Sequence, residues 1–378
     1  MEKLRFGMVG GGNGAFIGNV HRRGATEDNL ASLQAGCFTR NYEKNLEAAR
    51  AWDVPDLTRV YHTYQEMAEA ESIRSDGIDF VSIVTPTDTH YEIAKCFLEH
   101  NIHVVCDKPI CMTVEEGLAL RELAESRNLQ FGVTYTYASY AMIRQAREMI
   151  KQGAIGNIIN IVAEYPQDWL IVSTVAQKSE QSMWRLDPKR VGLTACCSDI
   201  GTHLEALISQ MTGLKLESVL ARFTRFRDSQ LDHDIQVLLR YEGGIPGIMW
   251  ASQIAAGFDC GVRIRVFGES GSLDWHHVRP MELRYAPLNG PIRILTANKE
   301  YCELACTEQC RLPAGHPEGY YEAFGNIYRA YCLHLLQKRG QANAGSFRYP
   351  TIDDGIAGLR FVAACFQSEQ SGNIWTNL

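Results

Sequence analysis

Leu4-Arg5-Phe6-Gly7-Met8-Val9-Gly10-Gly11-Gly12-Asn13-Gly14-Ala15-Phe16-Ile17-Gly18 opens the chain and decides how its first half is read. Leu4 to Val9 is a short apolar run of strand character, and a helix-like segment through Val20, His21 and Arg22 follows the glycines. Gly10 and Gly12 allow a tight turn and a close backbone approach to a pyrophosphate. Ala15, in the third small position, lets helix and strand pack closely, and the helix N-terminus supplies free N–H groups. Glycine-rich loops occur for many reasons. Between a strand in the first ten residues and a helix, this one reads as a dinucleotide-binding turn, with Gly10, Gly12, Asn13, Ala15, Phe16 and Ile17 as its contact stretch.

The segments downstream continue the same rhythm. A second strand, Leu33–Phe38, ends in Thr39-Arg40-Asn41, without the acid that takes the ribose 2′-hydroxyl in NAD-preferring domains. Arg40 can stack on adenine or pair with a 2′-phosphate, so these residues do not settle NAD against NADP; NAD is taken as the cofactor, with NADP not excluded. Helical patterns cover Glu43–Trp52 and Tyr64–Glu71. Asp79–Val84 is a continuous apolar run, as in a strand buried on both faces, and it ends in Thr85-Pro86-Thr87-Asp88-Thr89-His90. After a helix through Ile93, Phe97 and Leu98 comes Val104-Val105-Cys106-Asp107-Lys108-Pro109-Ile110. Pro109 fixes φ and has no N–H, so the strand ends there and Lys108 sits at the rim of the crevice where open α/β sheets bind ligands. On those residues alone an ordinary solvated lysine is an equal reading. Thr113 with Glu116 forms a capping-box pattern ahead of a helix over Val114–Arg127, and Gln130–Thr134 is one more strand. Alternating β and α segments over this length specify a doubly wound parallel sheet.

A chain of 378 residues exceeds one small core and implies two domains, placed at 1–135 and 136–378. The second half changes character. Strand-like runs at Asn157–Tyr165, Leu216–Phe226, Asp232–Tyr241, Ile245–Gln253 and Val262–Phe267 are joined in part by Glu242-Gly243-Gly244 and Glu269-Ser270-Gly271. Apolar and polar residues alternate in Ile235–Tyr241 and Val262–Phe267, as in a large open, mostly antiparallel sheet of an α+β domain with one covered face. Its other face needs a partner, which points to a homodimer or homotetramer. Hydrophobic content of 46% and charged content of 21% are those of a soluble globular protein. A net charge of −7 with no basic stripe argues against nucleic acid. No apolar run approaches the ~20 residues of a membrane helix, and Met1-Glu2-Lys3-Leu4-Arg5 leads into a strand rather than a signal peptide. Twelve cysteines, mostly in apolar segments, fit reduced thiols in a cytoplasm.

One helix of the second half carries chemistry. Ser198 to Met211 buries Ile200, Leu204, Leu207, Ile208 and Met211, while Asp199 and His203, four residues apart, share another face. The plainer reading is an acid favoured by the helix dipole and an incidental histidine; the functional one is a proton-handling pair. Trp169, Trp184 and His316 suit stacking on a sugar ring, with core packing as the even alternative. Cys302, Cys306 and Cys310 would line one face of a helix, but no fourth ligand has suitable spacing, and no metal is expected.

Together, the glycine loop, Thr85–His90, Asp107-Lys108-Pro109, Glu164-Tyr165-Pro166-Gln167, Trp184-Arg185-Leu186-Asp187-Pro188, Asp199-Ile200-Gly201-Thr202-His203 and Gly315-His316-Pro317-Glu318-Gly319-Tyr320 resemble the Gfo/Idh/MocA family across almost the whole chain. The resemblance implies an amino-terminal Rossmann domain, a carboxy-terminal domain on a large open sheet, and oxidation or reduction of sugars, polyols and related carbonyl compounds with a nicotinamide cofactor. Lys108 takes the place of the catalytic lysine, Asp107 stands where the family has glutamate, and Asp199 and His203 match its aspartate and histidine. Thr85, Pro86, Thr87, His90, Asp107 and Lys108, with Thr39 and Arg40, are then cofactor contacts. Tyr137, Trp169, Trp184, Arg185, Asp199, His203 and His316 face a small carbohydrate substrate. Thr87 replaces a frequent asparagine, and Tyr135-Thr136 replaces a frequent His-Asn, which implies an altered pocket wall near Tyr137. Three activities follow: a dehydrogenase acting at a ring hydroxyl such as C3; a redox-neutral glycosidase working by transient C3 oxidation, with Tyr137 or a histidine as second base; and a non-catalytic nicotinamide-binding regulator.

Overall fold

The computed structural model describes residues 2–171 and 187–378, apart from the side chains at 188 and 189. The chain groups into two units, residues 1–134 with 320–356, and residues 135–319 with 357–378.

In the first unit, strands β1 (Leu4–Gly10), β2 (Ala31–Cys37), β3 (Phe80–Val84), β4 (His103–Cys106) and β5 (Phe131–Val133) form a five-stranded sheet in the order β2-β1-β3-β4-β5, parallel throughout. Helices α1 (Phe16–Thr26), α2 (Tyr42–Ala51), α3 (Tyr64–Ile73), α4 (His90–Glu99) and α5 (Val114–Ser126) connect them. All five residues of β3 are buried, as its unbroken apolar run predicts. The Thr113 hydroxyl accepts from the Glu116 N–H and Glu116 reaches back, which closes the expected capping box.

The sequence reading draws a single boundary near residue 135, whereas the first unit also takes in 320–356. The cause is apolar complementarity. Helix α8 (Tyr320–Lys338) brings Phe324, Tyr328 and Tyr331 onto the sheet and α1. Phe80 stacks on Phe6 with centroids 5.3 Å apart and meets Tyr331 edge-on at 5.4 Å. A Cβ at Gly24 of α1 would come within 3.3 Å of the Phe324 backbone, so the two helices pack at close range. Beyond α8, the Val133 N–H donates to the Pro350 carbonyl at 2.8 Å, alongside β5.

In the second unit, β6 (Ile158–Pro166), β7 (Leu216–Thr224), β8 (Asp234–Tyr241), β9 (Ile245–Ser252), β10 (Arg263–Gly268), β11 (Gly271–His276), β12 (Glu282–Pro287), β13 (Arg293–Thr296) and β14 (Thr376–Asn377) form a sheet ordered β13-β12-β11-β10-β6-β9-β8-β7-β14. Its pairs are antiparallel except β6 with β9. Burial alternates residue by residue along β8, as the periodicity predicts. Strands β11, β12, β13 and β14 go beyond the sequence reading. Helices α6 (Ala141–Lys151) and α7 (Thr202–Thr212) pack within this unit, and a Cβ at Gly201 would lie 3.0 Å from Ile235 of β8 and 3.4 Å from Phe361. Phe361 is on α9 (Ile352–Gln370), of which residues 357–370 belong here.

Cys302, Cys306 and Cys310 do not share one helix face, because only Leu304–Thr307 is helical. The Cys302 thiol points at the Thr296 carbonyl, Cys306 is buried against Met142, and the Cys310 thiol points at the Cys306 carbonyl. All twelve cysteines are free. Among the described residues no helix is long and apolar enough to cross a membrane, and no group of three or more His, Cys, Asp or Glu could hold a metal ion.

Candidate active site

At the carboxyl edge of the parallel sheet, the chain leaves β1 through Gly10 and Gly11 at φ of +84° and +74°, a region costly for residues with a Cβ. A Cβ on Gly10 would also lie 2.7 Å from the Val84 carbonyl oxygen and the Thr85 methyl, and one on Gly11 would lie 2.7 Å from the Gly18 Cα. Gly18 is therefore the residue that brings α1 onto the loop, a role the sequence reading gave to Ala15. Ala15 instead stands at the N-cap of α1, where no side chain caps the helix and no acid lies in the first turn. The first-turn N–H groups are left for an anion, and the loop fits a pyrophosphate. Phe16 is 69% exposed. After β2, Gly12 donates to the Phe38 carbonyl, the Thr39 N–H donates to Asn45, and Arg40 is exposed.

Thr85 and Pro86 are half-buried beside this loop and Thr87 is buried. His90 is 1% exposed, and its ring nitrogens lie 2.7 Å from the Pro109 carbonyl (Nδ1) and 2.8 Å from the Thr85 carbonyl (Nε2). Burial pushes this imidazole below its usual range, while Asp107, the two carbonyls and Asp88 act the other way. Next comes Asp107, whose Oδ1 accepts from the Lys108 N–H at 2.9 Å and the Thr134 hydroxyl at 2.8 Å. His21 stands 3.8 Å from the other carboxylate oxygen through Nε2. Its Nδ1 meets the Tyr328 hydroxyl at 2.7 Å and Ser82 at 3.1 Å, and these two hydroxyls are 2.7 Å apart. Burial alone would raise the Asp107 carboxyl, but His21, the Lys108 ammonium and His90 outweigh it and hold it well below the carboxylate range. Lys108 is half-buried and precedes Pro109 through a cis peptide bond.

The second unit gathers Asp199, His203 and Tyr137. Cys197–Gly201 forms a π turn ahead of α7, an irregularity the sequence reading did not foresee. Asp232 secures it: this 2% exposed carboxylate accepts from the N–H groups of Ala195 at 2.5 Å and Cys197 at 2.8 Å, and burial raises its pKa. Asp199 within the turn accepts from Gln253 Nε2 at 2.9 Å. His203, 9% exposed, is edge-on to Tyr137 at 4.9 Å and to Tyr135 at 5.9 Å. The Tyr137 and Tyr165 hydroxyls share a 2.6 Å hydrogen bond, Gln167 donates to Tyr165 at 2.9 Å, and burial raises the Tyr165 phenol. His277 meets the Tyr140 hydroxyl at 3.1 Å, its imidazole lowered by burial and by His276.

Of the remaining candidates, half-buried Trp169 follows β6, where the Leu170 N–H donates to the Gln253 carbonyl at 3.2 Å, beside the partner of Asp199. His316 is exposed in a turn, with Nδ1 3.1 Å from the Pro313 carbonyl. Trp184 and Arg185 lie outside the described residues. The sequence reading missed His21, Ser82 and Tyr328 around Asp107, and Gln253 and Asp232 around Asp199. The signal available was a histidine and a serine on otherwise buried faces of α1 and β3.

A family model for an oxidoreductase family with an NAD-binding Rossmann fold matches residues 4–135, and the GFO/IDH/MocA C-terminal domain model matches residues 143–274. The chain is 37% identical over 382 residues to the uncharacterized oxidoreductase YfiI of Bacillus subtilis (strain 168), covering 99% of this chain and 96% of that protein. The chain belongs to the Gfo/Idh/MocA family. Its first unit is this family's NAD-binding Rossmann fold, and the protein is an oxidoreductase of the family. Among solved structures, an inositol dehydrogenase homolog from Azotobacter vinelandii, complexed with NADH and myo-inositol, superimposes with a TM-score of 0.92 at 34% identity, covering 100% of this chain and 98% of that one. Levoglucosan dehydrogenase of Pseudarthrobacter phenanthrenivorans is 24% identical over 316 residues, 76% of this Gfo/Idh/MocA chain and 77% of the relative.

Proposed function

We propose that the protein is an NAD(P)-dependent dehydrogenase that moves hydride between the nicotinamide and a ring hydroxyl carbon, C3 in the leading case, of a cyclic polyol, sugar or glycoside. The observation that carries this reading is the group in the second unit, where His203 and a Gln253-held Asp199 stand with the Tyr137–Tyr165 hydroxyl pair. The myo-inositol complex of the A. vinelandii homolog and the levoglucosan dehydrogenase relative support the same substrate class.

When bound, the cofactor supplies a hydride acceptor at the carbinol carbon. His203 takes the hydroxyl proton, since imidazole titrates near neutrality. The Lys108 ammonium donates to the same oxygen and favours the alkoxide-like transition state. Asp199 accepts from a neighbouring hydroxyl and sets the ring's orientation. Thr39, Arg40 and the Thr85-Pro86-Thr87 segment contact the dinucleotide, and Trp169 stacks on the sugar face.

The outward face of the second-unit sheet supports a homo-oligomer. Val162, Ile248, Leu238 and Leu220 form one cross-strand row through β6, β9, β8 and β7, with Leu238 45% and Ile248 47% exposed.

Turnover of myo-inositol and a panel of polyols and glycosides with NAD and NADP, followed by absorbance of the reduced cofactor, tests the reading. Lys108→Ala and His203→Ala should each lower kcat/KM by about 10²–10⁴. No reduced cofactor across the panel would sink it. Aglycone release without reduced cofactor, with solvent deuterium entering C2, would assign redox-neutral glycoside cleavage instead.

A further inference from the structure

His21 of α1 is fully buried, yet polar groups stand on both sides of its ring. Nδ1 meets two hydroxyls, Tyr328 of α8 at 2.7 Å and Ser82 of β3 at 3.1 Å. Nε2 has no hydrogen-bond partner among the described residues, and Asp107 Oδ2 lies 3.8 Å from it. A hydroxyl can donate, whereas an ionised carboxylate can only accept. One arrangement therefore suits an uncharged ring: Nδ1 accepts, and Nε2 carries its proton towards Asp107. The neighbours agree on that direction. Burial keeps the Tyr328 phenol protonated, and Ser82 donates to its oxygen across 2.7 Å, which leaves the phenolic proton for Nδ1. Burial works against the Asp107 charge, and His21 leads the groups that outweigh it. At 3.8 Å the Nε2–H is too far for a hydrogen bond; it attracts the carboxylate as a dipole in a place of low dielectric.

Serine, histidine and aspartate in contact suggest a nucleophilic triad. Ser82 and His21 are both 0% exposed, however, so no substrate reaches the hydroxyl, and the chain acts through its far end. There Asp107 Oδ1 accepts from the Lys108 N–H at 2.9 Å and from the Thr134 hydroxyl at 2.8 Å. We propose that Tyr328 and His21 are positioning residues for Lys108: a one-way donor chain from Ser82 through Tyr328 and His21 fixes the Asp107 carboxylate, which in turn holds the Lys108 backbone at the rim of the sheet. Helix α8, which brings Tyr328, thus bears on the placing of the lysine. This inference rests on the dehydrogenase reading only for its consequence in turnover.

The test has two arms. In full-length protein with 15N-labelled histidine at pH about 8, the His21 signals, identified by their absence from His21→Gln, should show a protonated Nε2 and a bare Nδ1. A proton on Nδ1, in the other tautomer or in a charged ring, overturns the inference, whatever the enzyme turns over. In kinetics, His21→Leu should lower kcat about 100-fold, as expected for a small misplacement of a reacting group. The polyol KM should stay within about threefold, because the buried ring touches no substrate. His21→Gln keeps an N–H for the carboxylate and should recover about tenfold of that loss. A wild-type kcat in His21→Leu with native circular dichroism overturns the inference, as does a His21→Gln variant no better than the leucine. Should His21→Leu not fold, the Ser82→Ala/Tyr328→Phe double variant decides. It keeps the phenyl ring, removes both donors to Nδ1 and should lower kcat about tenfold, and a wild-type kcat there overturns the inference. A wild-type protein that turns over no polyol would remove the proposed function and leave the nitrogen spectrum as the deciding measurement.

Discussion

Removing the Asp232 side chain should unfasten the helix start that carries Asp199. In the intact protein this carboxylate accepts two backbone N–H groups, from Ala195 and Cys197, in a region where Cys197 is 0% and Ala195 6% exposed. A hydrogen bond to a charged acceptor contributes about 1.5–3 kcal/mol, so the pair is worth roughly 3–6 kcal/mol. Part of that is offset, because burial penalises the carboxylate itself and Asp232→Ala relieves the penalty. A net loss of about 2–4 kcal/mol is expected. With a urea m-value of about 3 kcal/mol/M, the midpoint of the transition reporting on the second unit should fall by about 1 M. Asp232→Asn keeps an acceptor for one N–H and should fall between the two. Turnover should drop as well in conditions where the variant is still folded, because the Cys197–Gly201 turn loses its anchor. An Asp232→Ala protein within about 0.5 kcal/mol of wild type would show that the two N–H groups find other partners, and the anchoring argument would fail.

Three further outcomes follow from the structure. Burial, with Lys338 and Arg339 nearby, lowers the His103 imidazole from 6.5 to about 4, and its Nδ1 accepts from the Gln130 N–H. The unfolded chain therefore takes up this proton first. Stability should be intact above pH about 6.5 and fall by up to about 3 kcal/mol towards pH about 4, and urea melts of His103→Asn should show a flatter acid limb. Gly11→Ala should weaken NADH binding about tenfold and lower the melting temperature, because φ of +74° costs about 1–2 kcal/mol and the new Cβ meets Gly18; fluorescence titration with wild-type affinity would contradict it. Leu238→Glu places a charge in the exposed cross-strand row and should shift the protein to a smaller species in sedimentation, whereas an unchanged mass would exclude that face as the oligomer contact.

The parts of the fold legible in the sequence are those where local chemistry dictates structure. The glycine run between β1 and α1, the unbroken apolar β3, the Thr113–Glu116 box and the alternation in β8 each need only their own neighbours to be read. Family motifs added Lys108, Asp199 and His203. What escaped was whatever depends on residues far apart in the chain. His21 and Tyr328 meet across 307 positions, and Asp199 depends on Gln253, 54 positions away. The cysteines at 302, 306 and 310 were legible only as a spacing, and a spacing has meaning only on a helix that the chain does not form there. Strand β12 and the edge strand β13 are short and weakly alternating in burial, so periodicity had little to register.

The return of residues 320–356 to the first unit has a consequence during synthesis. Translation delivers residues 1–134 first, yet Phe324, Tyr328 and Tyr331, which finish that core, lie 190 or more positions beyond Thr134. At ribosomal rates of about 5–20 residues per second, the nucleotide-binding half waits roughly 10–40 s with Phe6 and Phe80 lacking their last neighbours. The intervening unit can complete its hairpins during that interval. Competence to hold a dinucleotide therefore arises late in the life of the nascent chain, and a fragment ending at Thr134 should emerge as a client for chaperones rather than as a miniature binding protein.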